Sequence, residues 1–130
     1  MPRRRGSSRP DESLPLRERI RRRPEFQRCY RQGRRHHGRH FVVFVIRNRE
    51  EGPRLGMTVS RKVGGAVTRN RVRRRIREIY RRWKGRKDLP PLDLLVHAKP
   101  PAGTAEFSSL AQELEGQLAR ASRRERPVAD

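Results

Sequence analysis

One small α+β domain with basic tails is the fold class this sequence predicts, and three observations predict it. Helical periodicity and strand-like runs alternate in the order helix, two or three strands, helix, strand, helix. The length of 130 residues accommodates a single domain. Only 32% of residues are hydrophobic while 38% are charged, so the core is small and both ends are expected to stay outside it.

The first stretch, residues 1–15, carries four Arg, three Pro and the pair Ser7 and Ser8 with almost nothing apolar, and reads as a disordered basic arm. The domain is then expected over 16–121, with 122–130 as a second frayed tail. A short helix is predicted in RPEFQRCYRQG, where Pro24 suits the first turn, Glu25 sits near the positive end of the dipole, and Gly33 marks the stop. Phe26, Cys29 and Tyr30 lie three and four apart and share one face, which packing against a sheet would explain. A leading strand at Arg34 to Gly38 has only slight support. Arg39 to Arg47 is rich in β-branched and aromatic residues, Asn48 to Pro53 supplies turn chemistry, and Arg54 to Ser60 follows as a second run, so two antiparallel strands are expected. Phe41, Val43 and Val45 face one side and Val42, Phe44 and Ile46 the other. Helices must cover one side; the other needs its own cover or a ligand.

Gly64 and Gly65 precede a long amphipathic helix over Ala66 to Trp83, whose stripe Val72, Ile76, Ile79 and Trp83 recurs at helical spacing. Asn70, Arg73, Arg74, Arg77 and Arg81 gather opposite that stripe, and Arg69, Arg71, Arg75 and Arg82 flank it. Leu92 to Ala98 reads as a buried strand. Thr104 is a candidate cap for a last helix with Phe107, Leu110, Leu114 and Leu118 on its inner side.

The formal charge of +21 comes from 35 basic residues, 31 of them Arg, against 14 acidic ones. Such a chain repels itself unless a polyanion neutralises it, and the phosphate backbone of a nucleic acid is the most abundant candidate. No apolar run has the ~20 residues of a membrane-spanning helix, and no secretory signal leads the chain, which fits a cytoplasmic protein with no membrane partner. Cys29 is the single cysteine, suited to a reducing compartment and to a small buried side chain. Catalytic constellations are missing. Glu78 stands among arginines, where surface ion pairs explain it; His36, His37 and His40 lack a nearby carboxylate or thiol in sequence and read as solvated residues near phosphate; Ser60 has no nucleophile-elbow context.

Ser60 to Arg77 is the informative segment. Like charges one turn apart destabilise a helix by a few tenths of a kcal/mol per pair, so a face with this many calls for an anion. Asn70 adds a donor and an acceptor for a ribose hydroxyl or base edge. A second candidate is the surface made by Phe26, Tyr30, Val42 and Phe44, an apolar platform ringed by Arg on which single-stranded bases could stack. Pattern alone favours ordinary core for those four.

Taken together, GGAVTRNRVRRRIRE preceded by LGMTVSRKV, with PEFQRCYRQGRR, RHFVVFV and LVHAKP, resembles the bacterial ribonuclease P protein subunit over Leu16 to Ala121. The resemblance implies an αβββαβα domain with a left-handed βαβ crossover, as in the second domain of ribosomal protein S5. It implies that a catalytic RNA with bound Mg²⁺ hydrolyses the phosphodiester that joins the 5′ leader to precursor tRNA, while the protein improves substrate binding and supports the active RNA structure. No catalytic residue and no protein partner are then expected, and Mg²⁺ belongs to the RNA and substrate. By position, Arg69, Asn70, Arg71, Arg73, Arg74 and Arg77 would meet the catalytic RNA with Arg61 and Lys62 at the approach, and Phe26, Tyr30, Val42 and Phe44 would line the cleft for the single-stranded leader. Departures are Arg where Lys is common in the motif helix, Tyr30 where Phe is frequent, and a longer arm. A structural ribosomal or nucleic-acid-compacting protein is the alternative that charge alone allows.

Overall fold

The computed structural model describes residues 14–125. Its elements run α1 (Arg23–Gln32), β1 (Arg34–His37), β2 (Phe41–Arg47), β3 (Arg54–Val59), α2 (Ala66–Arg82), β4 (Leu92–Ala98) and α3 (Phe107–Glu125), with short 3-10 turns between several of them. The weakly supported leading strand is present as β1, antiparallel to β2.

Sheet order departs from the simplest reading of the sequence. The strands lie β1-β2-β4-β3, so β2 and β3 run in opposite directions but never pair. β4 stands between them, antiparallel to β2 and parallel to β3. The Asn48 to Pro53 turn therefore reverses the chain without closing a hairpin, and α2 is the crossover a parallel β3/β4 pair requires.

Two apolar clusters lie on opposite faces of the sheet. Phe41, Val43 and Val45 of β2, with Leu92, Leu94 and Val96 of β4, pack on Val72, Ile76 and Ile79 of α2 and on Leu110, Leu114 and Leu118 of α3. Each such side chain contributes roughly 1.5–3 kcal/mol by leaving water. Ile20, Cys29, Phe44 and Leu95 form the smaller cluster under α1, with Phe26, Tyr30, Val42 and Ile46 at its margin. Burial there pushes the Cys29 thiol up to about 12, so it is inert packing.

Both expected domain edges move outward. Leu14, placed in the arm, is buried in the main core, and α3 continues to Glu125 with Ala121 and Ser122 buried. The rest of the expected arm, residues 1–13, and residues 126–130 lie outside the described residues. Thr104 does not cap α3; it closes the turn Pro100–Gly103, and the helix starts three residues later. Phe107 is 36% exposed at the rim, beneath the Arg75 guanidinium. No helix among the described residues is long and apolar enough to cross a membrane.

Candidate nucleic-acid interface

The start of α2 is set by two glycines with different tasks. Gly64 adopts φ +155°, a conformation that strains any residue with a Cβ, and a Cβ there would also meet Thr68 at 2.9 Å. Gly103 lets the connection to α3 press against the Val63 carbonyl, which a Cβ would overlap. Between them they fix the direction in which α2 leaves the sheet.

Along α2 the predicted residues separate into two groups. Arg61, Lys62, Asn70 and Arg74 are exposed, and Arg73 is half-buried with its Nη1 donating to Asn70 Oδ1 at 3.1 Å. Arg71 turns inward instead, its Nη2 donating to the Gly103 carbonyl at 3.0 Å. Arg75, one turn on, donates to the Ala105 carbonyl at 3.1 Å. These two arginines tie the helix to the 100–105 connection, so Arg71 does not stand on the open face with the other motif residues. Arg69 is half-buried, with its Nε enclosed and unpaired.

Arg77 sits where two surfaces meet. Burial, followed by the charges of Arg19, Arg73 and Arg74, holds its guanidinium below the ordinary Arg value. Among the described residues no carboxylate pairs with Arg61, Lys62, Arg69, Arg73, Arg74 or Arg77; the ion pair within α2 joins Glu78 to Arg82 at 3.6 Å. A groove of about 370 Å³ beside β3 is lined by Arg77 and Arg19 together with Ile20, Phe26 and Met57. Arg77 of α2 and Phe26 of α1 thus share one groove.

On the α1 side the sheet presents two registered rows. His37, Val42, His97 and Thr58 lie side by side across β1, β2, β4 and β3, followed by Arg35, Phe44, Leu95 and Gly56. The second row is closed. Phe44 is 7% exposed, its ring 4.8 Å from Tyr30 and 5.4 Å from the Arg35 guanidinium, and a Cβ on Gly56 would press on Ile20 and Phe26. The first row is open: Val42, His97 and Thr58 are half-buried, as are Tyr30 and Phe26. Of the four predicted cleft residues, Phe26, Tyr30 and Val42 line accessible space and Phe44 supports them from beneath. Thr58 and His97 were missed; the signal was a polar residue on the α1-facing positions of an otherwise apolar strand, which Asp93 and His97 both occupy.

A buried ion cluster holds α1 in place. Arg54 Nε and Nη2 each donate to Asp93 at 2.8 Å, and its Nη1 donates to Glu25 at 2.9 Å. Asp93 is 1% exposed and also accepts from Asn48 Nδ2 at 2.9 Å. Burial pulls the Glu25 carboxyl upward, but hydrogen bonds from the Arg22 backbone and Arg54 outweigh it and leave the group below its usual range. The same Glu25 accepts from the Arg21 and Arg22 backbone N–H groups at the helix start.

The three histidines separate: His37 is exposed as expected, and the other two are not. His36 faces the core at 8% exposure, and His40 Nδ1 meets Glu113 at 2.9 Å while Glu113 also accepts the backbone N–H groups of His40 and Phe41. A distant carboxylate that the sequence could not place supplies the partner of His40. Among the described residues no group of three or more His, Cys, Asp or Glu side chains comes together as a metal site.

Known proteins share this sequence pattern and this fold. The family model described as Ribonuclease P matches residues 14–122. The ribonuclease P protein component of Desulfovibrio desulfuricans is 49% identical over 115 residues, covering 85% of this chain and 87% of that one. That of Acidothermus cellulolyticus is 41% identical over 111 residues, covering 82% and 90%. Among solved structures, the RNase P protein of Staphylococcus aureus superposes with a TM-score of 0.72 at 36% identity, covering 80% of this chain and 94% of that one. The RNase P protein of Thermotoga maritima gives 0.67 at 30% identity, covering 85% and 99%. Matched nearly end to end in sequence and in fold, the chain belongs to the ribonuclease P protein family.

Proposed function

We propose that the exposed arginine face of α2 seats the catalytic RNA of ribonuclease P and that the open row beneath α1 receives the single-stranded 5′ leader of precursor tRNA. As a ribonuclease P protein component, the chain is a subunit of the ribonucleoprotein that matures tRNA 5′ ends. It acts by binding. Arg61, Lys62, Arg73 and Arg74 neutralise phosphates of the folded RNA, Asn70 adds a contact to ribose or base, and Arg77 stands at the junction with the leader path. Phe26, Tyr30 and Val42 give unstacked bases an apolar surface. In this reading Mg²⁺ resides on the RNA and substrate and supplies the Lewis acid for hydrolysis, and the complex works in the cytoplasm.

One observation carries the proposal: Arg77, which continues a run of α2 arginines with no carboxylate partner among the described residues, lines the same groove as Phe26. Such a face costs stability until an anion fills it. The test is reconstitution with a bacterial ribonuclease P RNA at low Mg²⁺. Added protein should raise cleavage of precursor tRNA, and an absence of stimulation with a matched RNA would remove the proposal.

A further inference from the structure

We propose that His97 reads the identity of one leader nucleotide, donating a hydrogen bond from Nε2–H to a keto oxygen of the base laid across the open row. The inference rests on the leader path proposed above and adds a residue and a chemical preference to it.

Three side chains meet at the row's centre. Tyr30 OH lies 2.6 Å from Thr58 Oγ1 and 3.0 Å from His97 Nδ1, and Thr58 Oγ1 lies 2.9 Å from the same nitrogen. They come from α1, β3 and β4, so each is held by a different element. Two hydroxyls bring two protons to this triangle. With Nδ1 as acceptor, Tyr30 donates to Thr58 and Thr58 donates to Nδ1, and every proton is used internally. With a proton on Nδ1, three protons would share the triangle, and one of the two hydroxyls would have to turn out of it to find an acceptor. The arrangement therefore favours the neutral tautomer with its proton on Nε2, the one in which both hydroxyl protons stay within the triangle.

Nε2 is the atom left available. It has no hydrogen-bond partner among the described residues, and it is not one of their buried unpaired polar atoms, unlike Nε2 of His36. Burial also lowers the pKa of His97, which keeps the ring uncharged at neutral pH. A neutral ring of fixed tautomer is a poor phosphate ligand and a good discriminator. It offers one donor of fixed sense, which suits O4 of uracil or O6 of guanine and meets the amino group that cytosine or adenine carries at the same position as donor against donor. Neighbouring Val42 and the edge of Tyr30, whose ring centroid is 5.9 Å from that of His97, supply apolar surface for the base.

The experiment uses the reconstituted holoenzyme and precursor tRNAs whose leaders differ by one nucleotide, stepped through the single-stranded region, with kcat/KM as readout. One leader position should favour U over C and G over A by about two- to tenfold, the range a single neutral hydrogen bond confers. His97→Ala should level that position and no other. The double change Tyr30→Phe with Thr58→Val keeps the imidazole but removes both hydroxyls that hold its tautomer, and it should shrink the preference while circular dichroism confirms folding. A keto preference that survives His97→Ala overturns the inference. So does a wild-type enzyme indifferent to leader sequence that still binds precursor more tightly than mature tRNA, a result that leaves the leader path intact. Equal affinity for precursor and mature tRNA would instead refute the leader path itself.

Discussion

Replacing Arg54 with Met should uncouple α1 from the sheet, at a cost worked from its contacts. The guanidinium makes two 2.8 Å hydrogen bonds to Asp93 and one of 2.9 Å to Glu25, at a site where its own side chain is 13% exposed and Asp93 only 1%. Removing it leaves Asp93 with Asn48 as its remaining side-chain donor in a nearly dry setting. Breaking a buried pair from one side costs about 3–5 kcal/mol, most of it from the stranded charge. At about 4 °C per kcal/mol for a domain of this size, Tm should fall by roughly 12–20 °C. Urea denaturation followed by circular dichroism measures the free energy, and adding Asp93→Leu to Arg54→Met should return a large part of it by removing the orphan. A loss under about 1 kcal/mol for the single variant, or no recovery in the double, would show that the cluster is not what seats α1.

Other consequences can be checked directly. Arg73→Ala with Arg74→Ala should weaken binding to the catalytic RNA and lower the slope of log K against log salt by about 1.4–1.8, since each phosphate contact contributes about 0.7–0.9. An unchanged slope would take α2 out of the interface. Phe26→Ala should reduce the preference for precursor over mature tRNA by roughly five- to a hundredfold if a stacked base is lost, with mature tRNA affinity held; equal losses for both would exclude the cleft. His36 is kept below its ordinary pKa by burial first and then by Arg120, Arg124 and Arg34. Its unfolded form binds protons more readily, so its contribution is complete above about pH 6.5 and is lost as pH falls towards the folded value. His36→Leu should therefore flatten the decline in stability between about pH 7 and 5, measured by denaturant melts at each pH; an equally steep decline would refute the assignment.

Much of the molecule was readable from periodicity. The α2 stripe of Val72, Ile76 and Ile79 and its opposed arginines follow from a 3.6-residue repeat, and β2 from its apolar run. Pairing was not readable, because the residues between β2 and β3 announce a reversal without naming the neighbour. Only the register places Asp93 beside Arg54 and His97 beside Thr58. The inward turn of Arg71 was hidden for a similar reason: Arg71 and Arg73 are alike in sequence, and the carbonyl that captures Arg71 belongs to Gly103, 32 positions away. Glu113 was invisible as the partner of His40 on the same ground.

One of the sheet's two inner strands, β4, is also the last one made. Until Leu92–Ala98 has left the ribosome, β3 has no paired neighbour and the nascent chain cannot consolidate its centre. Distant pairings of this kind slow self-organisation, because a long connecting loop must close before any contact rewards it. Here the loop to be closed is largely α2 itself. A polyanion that stiffened this segment while it was still forming would shorten the search for β4.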